Sequence, residues 1–585
     1  MDALLLMLVC FVGYLVAYHT YGKFLARKIF CLRPEAPVPS RQHQDGIDFV
    51  PTRKGILFGH HFTSIAGTGP IVGPAIGIIW GWLPALLWVT LGCVLMGAVH
   101  DFGTLVVSLR NDGKSISEIA ARYINKRVRL IFFLIVFLAL LIIIAIFGIV
   151  IATVFKLYPA SILAVWLQIP IAMLLGWAIY RKNADVLFCT IAAVLAMYGC
   201  IALGAWLESV RPGMFNFPAD WMIPPTGLWT ILLLVYVWFA STLPVTMLLQ
   251  PRDYINAWQL YIMMGLLACG IAASAFLHPE FALTAPALQD VPSDAPPLLP
   301  MMFVIIACGA ISGFHSLVAS GTSTKQLQAE PDALFVGYGS MLLEGALAVL
   351  VIVCIAGGLS LGVSQMSGPQ AWQHFYGLWM GEKGLESNLA PVVIGASNVM
   401  TSLGIPAALG MAIIGVFISS FAGTTLDTAT RIQRYVISEL ADDFHLPVLS
   451  NRWIATTAAV LTAAALAFIN TSEGHIVFGA DAAGAKRLWP LFGTVNQLLA
   501  ALALLVITMY LKRKGGLRYL VAAVPCLIML LVTGWAMVLN EISYIKTKNV
   551  LLATVGGLVF LLAVWMTAET VIQFSRSCST GPSED

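Results

Sequence analysis

Two adjacent histidines, His60 and His61, open the stretch of this 585-residue chain that is richest in groups able to do chemistry. Over residues 59–74 they are accompanied by three hydroxyl side chains, four glycines and two prolines. A regular helix cannot run cleanly through Gly67-Thr-Gly-Pro70 or Gly73-Pro74, because proline removes an amide donor and clashes with the preceding turn. In a bilayer, irregular backbone is tolerated only where it is buried in protein or lines a wet cavity. The stretch therefore predicts a discontinuous helix of the kind that secondary transporters use to bind substrate.

The histidines admit three interpretations. A metal site would recruit His100 and His315, but the sequence has no HExxH box and no cysteine at ligand spacing. Hydrogen bonding to substrate, or proton handling near neutral pH, is a second role, and helix packing is a third. We expect no cofactor and no transition-metal centre. The substrate-binding candidates in this stretch are His60, His61, Thr63, Ser64, Gly67, Thr68 and Gly69.

A second polar stretch, residues 313–325, repeats the spacing Gly-x-His-x5-Gly-Thr of the first. The two stretches lie on predicted segments that run in opposite directions, which is what an inverted repeat requires. We therefore expect the substrate to lie near residues 67–69 and 321–323, with amide groups at half-helix N-termini facing its carboxylate. This adds the candidates His315, Ser320, Gly321, Thr322 and Ser323, and a later apolar segment adds the amide side chains of Asn496 and Gln497.

Ion coupling is expected to involve a third stretch, residues 419–431, which holds six hydroxyls and a carboxylate. Such oxygens beside a broken helix can form a cage for Na⁺, here with Ala66, Thr424 and Thr425. The alternative is close packing, because small hydroxylated residues let helices approach and can bond their own helix. The ion-coupling candidates are Asp101, Glu344, Ser420, Thr424, Thr425 and Asp427.

Ionisable side chains inside apolar segments are functional candidates, because burial in a membrane is costly unless they are paired or hydrated. Glu344 lies near the middle of its predicted segment, and Asp101 lies about eight residues from a segment end. One role for Glu344 or Asp101 is to carry the coupled proton. The alternative is that each forms a buried hydrogen bond that holds neighbouring helices together. Arg252 and Asp253 follow the end of another predicted segment and are expected to form a capping or gating pair.

The elements that position these residues are membrane helices. Apolar residues make up 59% of the chain and charged residues 10%, against about 25% in soluble domains. Because a spanning helix needs about 20 apolar residues, the sequence predicts an all-α polytopic protein with about fifteen segments. They lie near residues 3–22, 56–80, 82–109, 130–156, 160–180, 186–208, 228–249, 257–278, 300–320, 333–362, 403–423, 453–470, 488–511, 518–539 and 550–575.

The loops between these segments predict the orientation. Of the 32 Lys and Arg residues, 25 fall in alternate loops and seven in the others. Since basic residues concentrate on the cytoplasmic side, we place the N-terminus outside and the C-terminus in the cytoplasm. The net charge of +3 therefore reflects topology and does not indicate a nucleic-acid partner. The first segment is expected to be an uncleaved helix, and the ten cysteines to be buried small residues.

Seven runs between about residue 56 and residue 515 resemble the carbon-starvation protein A (CstA) family. They are FGHHFTSIAGTGPIVGP, HDFGTLVVSLRNDGKSI, LLQPRDY, MMFVIIACGAISGFHSLVASGTSTKQL, GYGSMLLEG, TTLDTATR and WPLFGTVNQLLAALALL. This family consists of bacterial inner-membrane proteins implicated in the uptake of peptides, and of pyruvate in some members, during nutrient limitation. The resemblance implies membership of the amino-acid/polyamine/organocation superfamily, whose core is a LeuT-like five-plus-five inverted repeat.

The resemblance and the residues together predict the organisation of the chain. Residues 1–55 form an N-terminal helix and a basic loop, 56–278 and 279–515 the two halves of the transporter core, and 516–585 the last helices and a short tail. The two broken stretches lie seven segments apart, whereas a plain five-plus-five core predicts five. Either two helices are inserted between the repeats, or the repeat unit is seven.

The predicted function is a secondary active transporter of the bacterial inner membrane. It would import a small carboxylate-bearing nutrient, a peptide or pyruvate, with H⁺ or Na⁺ in response to carbon starvation. Besides substrate and ion, membrane lipid is the only partner expected. The alternatives are an intramembrane metal-dependent enzyme and an uncoupled channel or nutrient sensor.

Overall fold

The protein is described by a computed structural model over residues 2–218, 220–292, 295–363, 366–379, 385–472 and 475–577. Most of these residues are helical, because an apolar segment in a membrane must satisfy its backbone hydrogen bonds internally. The helices of the first half are α1 (Asp2–Ala17), α2 (Pro39–Gln42), α3 (Lys54–Ala66), α4 (Gly69–Gly77), α5 (Trp82–Leu87), α6 (Ala98–Leu109), α7 (Ile116–Tyr123), α8 (Lys126–Leu157), α9 (Ala160–Lys182), α10 (Val186–Val210), α11 (Pro225–Thr242) and α12 (Leu249–Leu277).

The second half continues the same architecture. Its helices are α13 (Leu298–Ile305), α14 (Gly313–Val318), α15 (Ser340–Ala356), α16 (Pro369–Tyr376), α17 (Leu385–Thr401), α18 (Ala407–Asp443), α19 (Arg452–Phe468), α20 (Ala483–Arg487), α21 (Trp489–Arg513), α22 (Leu520–Lys546) and α23 (Val550–Ser577). Wider π-helical turns cover Tyr18–Gly22, Leu25–Ile29, Trp88–Gly97, Ala319–Ser323 and Leu334–Gly339, and 3₁₀ turns cover Ile78–Trp80 and Gly358–Leu361. An antiparallel hairpin of β1 (Ile469–Ser472) and β2 (His475–Phe478), with Ile469 opposite Phe478, joins α19 to α20.

Thirteen helices of the described residues are long and apolar enough to cross a membrane. They match thirteen of the fifteen predicted segments, which confirms a multi-pass helical membrane protein. The other two predicted segments take different forms, since α19 has only 17 residues and residues 298–323 form an interrupted helix. The main cluster of buried apolar side chains runs from Ala3 to Met566, so the predicted halves pack as one body. Their division and the orientation of the termini stay predictions.

The first predicted break is present at Gly67. Its φ of +38° lies in the left-handed region that favours glycine, and α4 restarts two residues later with Pro70 in its first turn, where proline needs no donor. The predicted second interruption, at Gly73-Pro74, is wrong, because α4 continues to Gly77. Pro74 lies in the second turn of a nine-residue helix and removes a single backbone hydrogen bond.

The second break lies at residues 306–312, between α13 and α14, with Gly309 at φ +89°. The prediction that residues 321–323 form it is wrong, because they continue α14 as a π-helical turn. The Thr322 hydroxyl in this turn bonds the Val318 carbonyl of its own helix at 3.0 Å. The repeated Gly-x-His-x5-Gly-Thr spacing therefore marks the first break but not the second.

Helix α17 was not predicted. It follows α15 and α16 and ends near Ser402, whose hydroxyl lies 2.9 Å from that of Ser274 near the C-terminal end of α12. Asn398 of α17 donates to the carbonyls of Gly358 and Gly362 at the end of α15. Helix α17 therefore packs against the end of α15. Because α18 begins on the side where α15 ends, the extra helix does not change the alternating direction of the predicted segments.

Candidate functional site

A small buried cavity lies between the two helix breaks. Its lining residues are Ile65, Gly67, Gly69, Ile143, Phe147, Cys308, Phe314, Thr425 and Phe492. The backbones meet closely here, because a Cβ on Gly69 would stand 2.3 Å from Cys308 Sγ. The hydroxyl of Thr425, which lines the cavity, is buried and has no hydrogen-bond partner among the described residues; the same holds for Thr68, which precedes α4 but does not line the cavity. Buried polar groups normally find a partner, so this cavity suits a ligand that accepts hydrogen bonds.

Among the described residues, the first break leaves one helix amide open beside this cavity. Helix α4 starts at Gly69 with Thr68 preceding it, Pro70 has no N–H, and the Ile71 N–H donates to the Thr68 carbonyl at 3.2 Å, so the Gly69 N–H is the amide left without a backbone partner at this end. At the second break, the Phe314 N–H already donates to Asn496 Oδ1 at 2.9 Å. The predicted pair of amide-lined half-helices is therefore present on the α4 side alone.

Ionisable side chains form a connected cluster beside the cavity. Asp101 of α6 lies 2.9 Å from His315 Nδ1 through one oxygen and 2.8 Å from His100 Nδ1 through the other. On its opposite side, His315 Nε2 lies 3.4 Å from Glu344 Oε2. Glu344 Oε1 accepts the N–H of Gly309, inside the second break, at 3.0 Å. These four side chains are fully buried, so any charge they carry is balanced within the cluster.

Part of this cluster has the spacing of a metal site. The Cys308 thiol, a ring nitrogen of His315 and a carboxylate oxygen of Glu344 lie within 4.8 Å of one another, close enough for three such groups to hold a metal ion. The histidine set considered from the sequence does not assemble. His60 Nδ1 lies 2.6 Å from Asp253, and His61 Nδ1 lies 2.7 Å from the Ser323 hydroxyl.

A second buried network surrounds Arg252. Its guanidinium forms an ion pair with Asp427 of α18 and a hydrogen bond to the Tyr236 hydroxyl. It also donates to Thr424 Oγ1 at 2.8 Å, and Asn256 Nδ2 donates to the same oxygen at 2.9 Å. Both charged partners are almost fully buried. The network therefore ties α11, α12 and α18 together through one fixed positive charge.

The predicted pairing of Arg252 with Asp253 is wrong. Helix α12 begins at Leu249 rather than near residue 257, so both residues lie inside its first two turns. Neighbouring residues on a helix point about 100° apart. Arg252 consequently faces α18, while Asp253 faces α3 and bonds His60.

The predicted Na⁺ ligands do not share one site. Thr424 Oγ1 accepts from Arg252 and Asn256 and donates to the Ser420 carbonyl at 3.1 Å. Both lone pairs and the proton of this hydroxyl are thus in use. Thr425 points elsewhere, since its hydroxyl lies 2.7 Å from the position of a Cβ on Gly67. Ala66, the remaining predicted ligand, ends α3 next to that glycine.

The other predicted site residues mostly bond protein groups. Ser64 Oγ lies 3.4 Å from Thr428 Oγ1, and Thr63 bonds the Gly59 carbonyl of its own helix at 2.9 Å. Further contacts are Ser320 to the Ser316 carbonyl, Gly321 against Ile432, Asn496 to Ser312, and Gln497 to the Phe303 carbonyl. Ser420 Oγ is buried with no partner among the described residues.

Several residues of the site were missed from the sequence. Cys308 and Gly309 belong to a Cys-Gly-Ala-Ile-Ser-Gly run whose small residues signal a break just before the predicted polar stretch. The aromatic wall of Phe147 and Phe492 and the Tyr236 partner of Arg252 carry no local signal. They come from helices that are distant in sequence.

Comparison with known proteins gives consistent results. A family model described as "Carbon starvation protein CstA" matches residues 2–373 and 379–536. "Peptide transporter CstA" of Campylobacter jejuni is 31% identical over 89% of this chain and 78% of its own length, and the Bacillus subtilis protein of the same name is 30% identical over 92% and 89%. "Pyruvate/proton symporter BtsT" of Escherichia coli is 30% identical over 91% and 80%. The solved structure of MhsT in complex with L-phenylalanine covers 88% of this chain and 98% of its own at 13% identity, but its TM-score of 0.44 does not establish a shared fold.

Proposed function

Because the chain belongs to the carbon starvation protein CstA family, we propose that it imports a small carboxylate-bearing nutrient, a peptide or pyruvate, by proton symport across the bacterial inner membrane. The relatives are named transporters, which supports transport rather than enzymatic turnover. The thirteen apolar helices make it a multi-pass membrane protein. The N-terminus outside and the C-terminus in the cytoplasm belong to this proposal.

The observation that carries the proposal is the buried chain of Asp101, His315 and Glu344 beside the cavity. These groups can exchange protons near neutral pH: Asp101 and His315 share a hydrogen bond of 2.9 Å, and Glu344 lies 3.4 Å from the other ring nitrogen of His315. Glu344 bonds the Gly309 N–H inside the second break. The protonation state of the cluster is therefore linked directly to the backbone that lines the cavity.

Charge balance supplies the coupling. A substrate carboxylate at the N-terminus of α4, near Thr68 and Thr425, would bring a negative charge into a dry site. Repulsion between this carboxylate and an ionised Glu344 favours a proton on the cluster whenever substrate is bound. A monocarboxylate such as pyruvate and its proton then enter together without net charge, and release of either on the other side favours release of its partner.

A proton, rather than Na⁺, is favoured by the network around Arg252. The Thr424 hydroxyl that would coordinate Na⁺ already has all three of its hydrogen-bonding positions filled. The guanidinium also places a fixed positive charge beside that oxygen, and a second cation there would be repelled.

The proposal is tested by uptake into proteoliposomes that contain the purified protein. Labelled pyruvate and a labelled dipeptide are offered separately, each under an imposed proton gradient and, in parallel, under a sodium gradient. Accumulation of one substrate driven by the proton gradient alone is the expected result. Accumulation driven only by sodium would contradict the coupling ion, and failure to accumulate either substrate, with the protein shown to be folded, would contradict the substrate class.

A further inference from the structure

An open cleft lies at the ends of several helices, lined by residues other than those of the transport cavity. Its wall is formed by the end of the first span at Ile29, the end of α6 at Leu109, the end of α21 at Leu511 and the loop after residue 30. All of these ends fall on the face that the distribution of basic residues predicts to be cytoplasmic. The cleft is therefore expected at the level of the lipid headgroups.

The charges around this cleft are unequal. Four basic side chains line it, against the carboxylates of Asp112, which is exposed, and Glu330. One of these carboxylates, Glu330, is buried and already held by Arg110, with Arg110 Nε and Nη2 lying 2.7 and 2.5 Å from Glu330 Oε1. Arg110 also donates to the Tyr510 hydroxyl at 3.0 Å. This internal ion pair forms the floor of the cleft. Because Glu330 is already paired with Arg110, its carboxylate does not neutralise the other three cations.

Three cations remain at the rim. Arg33, Lys514 and Arg518 are exposed, and none of their side chains forms an ion pair within the part of the chain that the structure describes. The Lys514 ammonium lies 5.6 Å from the centroid of the Tyr510 ring, which holds it over the cleft. Basic groups of this kind beside apolar helix ends recognise the phosphates of anionic lipids.

We propose that this cleft binds the phosphodiester headgroup of an anionic phospholipid. The rim cations contact the phosphate oxygens, and the buried side chains of Ile29 and Leu511 close the apolar base of the cleft. Leu517 and Leu520, which are 72% and 41% exposed, offer the neighbouring surface to the acyl chains. The site is independent of the transported substrate, so its test does not require transport.

The test measures the thermal unfolding midpoint of the whole protein in detergent as lipid is titrated. The probes are phosphatidylglycerol, phosphatidylcholine and inorganic phosphate. Phosphatidylglycerol is expected to raise the midpoint and phosphatidylcholine is not. Removing one cation weakens such binding about fivefold, so the double variant Lys514→Gln/Arg518→Gln should need about 25-fold more phosphatidylglycerol for the same shift.

The matched control removes two exposed basic residues from the same predicted face, outside the cleft, as Arg181→Gln/Lys182→Gln. It should change the required lipid concentration less than about twofold. If the cleft variant and the control variant lose lipid affinity equally, the stabilisation by lipid comes from general surface charge, and the proposed site is overturned. Stabilisation by inorganic phosphate but not by lipid, lost in the cleft variant, would overturn the lipid as the source of the phosphate. If the double variant unfolds without lipid, Arg33→Gln on the loop is compared with the same control.

Discussion

Replacing Glu344 by glutamine removes one titratable proton and keeps the shape of the side chain. The amide oxygen can still accept the Gly309 N–H, which donates to Glu344 Oε1 at 3.0 Å. The amide NH₂ takes the place of the oxygen that lies 3.4 Å from His315 Nε2. His315 also keeps Asp101 as its charged partner. Because neutral hydrogen bonds contribute about 0.5–1.5 kcal/mol each, we expect a fall in unfolding free energy of no more than about 2 kcal/mol.

The effect on transport should be much larger. A monocarboxylate that moves with one proton carries no net charge, so a pH difference alone drives its accumulation. One pH unit corresponds to about 1.36 kcal/mol per proton, or a tenfold concentration ratio. With about two units imposed across proteoliposomes, the wild type is expected to concentrate labelled pyruvate up to ~100-fold. The variant should stop at a ratio of about 1 while still exchanging labelled for unlabelled substrate.

The control for this experiment is Glu541→Gln. Glu541 lies in α22, and within the described residues it makes no contact with the cluster of Asp101, His315 and Glu344. The Glu541→Gln variant should accumulate substrate as the wild type does. Proton-driven accumulation by Glu344→Gln at the wild-type ratio would refute the assignment of the coupling proton to this cluster. If the wild type accumulates the dipeptide instead, the same comparison is made with that substrate.

Three further predictions concern the network around Arg252, the first helix break and the loop before α3. Asp427→Asn leaves Arg252 buried without its counter-charge and should lower the unfolding free energy by about 3–5 kcal/mol. The double change Arg252→Met/Asp427→Leu should recover most of this lost stability. Unfolding in detergent compares the two variants, and a single variant as stable as the wild type would contradict the role of the pair. Gly67→Ala forces φ +38° on a residue whose Cβ would stand 2.7 Å from Thr425 Oγ1. This change should lower the unfolding free energy by about 1–3 kcal/mol and impair uptake. The control Gly265→Ala has open space around it and should change neither stability nor uptake. Burial alone would raise the pKa of Asp48, but Arg431, Lys325, the Tyr435 hydroxyl and Arg434 together hold that pKa below its ordinary 3.8. Asp48→Asn should therefore cost about 1–3 kcal/mol at neutral pH, and the gap from the wild type should close as the pH falls below 3.8 towards the lower pKa of the folded state, which unfolding curves across the acid range would check.

The helices and the first break could be predicted because their causes are local. A run of about 20 apolar residues has to become a helix in lipid, whatever its neighbours are. Gly67 breaks its helix through its own backbone freedom and the Pro70 that follows. The family resemblance is likewise a property of runs of adjacent residues. The ends of α11 and α12 were misplaced because the turn that separates them at residues 243–248 is itself rich in apolar residues.

The second break was harder to place, because hydroxyls and glycines have two opposite uses in a membrane helix. In residues 313–325 most hydroxyls bond their own helix, although Ser323 contacts His61. Gly313 allows close packing, since a Cβ there would stand 2.3 Å from the Asn496 carbonyl oxygen. The break uses Gly309 instead. Local composition cannot distinguish a glycine that bends the chain from one that admits a neighbour.

The sequence by itself determined a helical membrane protein of the CstA family and the residues from which its site is built. The tertiary structure alone decided which of these residues are partners. His315 meets Asp101 across 214 residues and Arg252 meets Asp427 across 175, while the adjacent Arg252 and Asp253 point to different helices. Buried charges must be balanced, but the balancing group can come from any helix that packs nearby. Packing between distant segments, and no local pattern, therefore sets the partners of each charge.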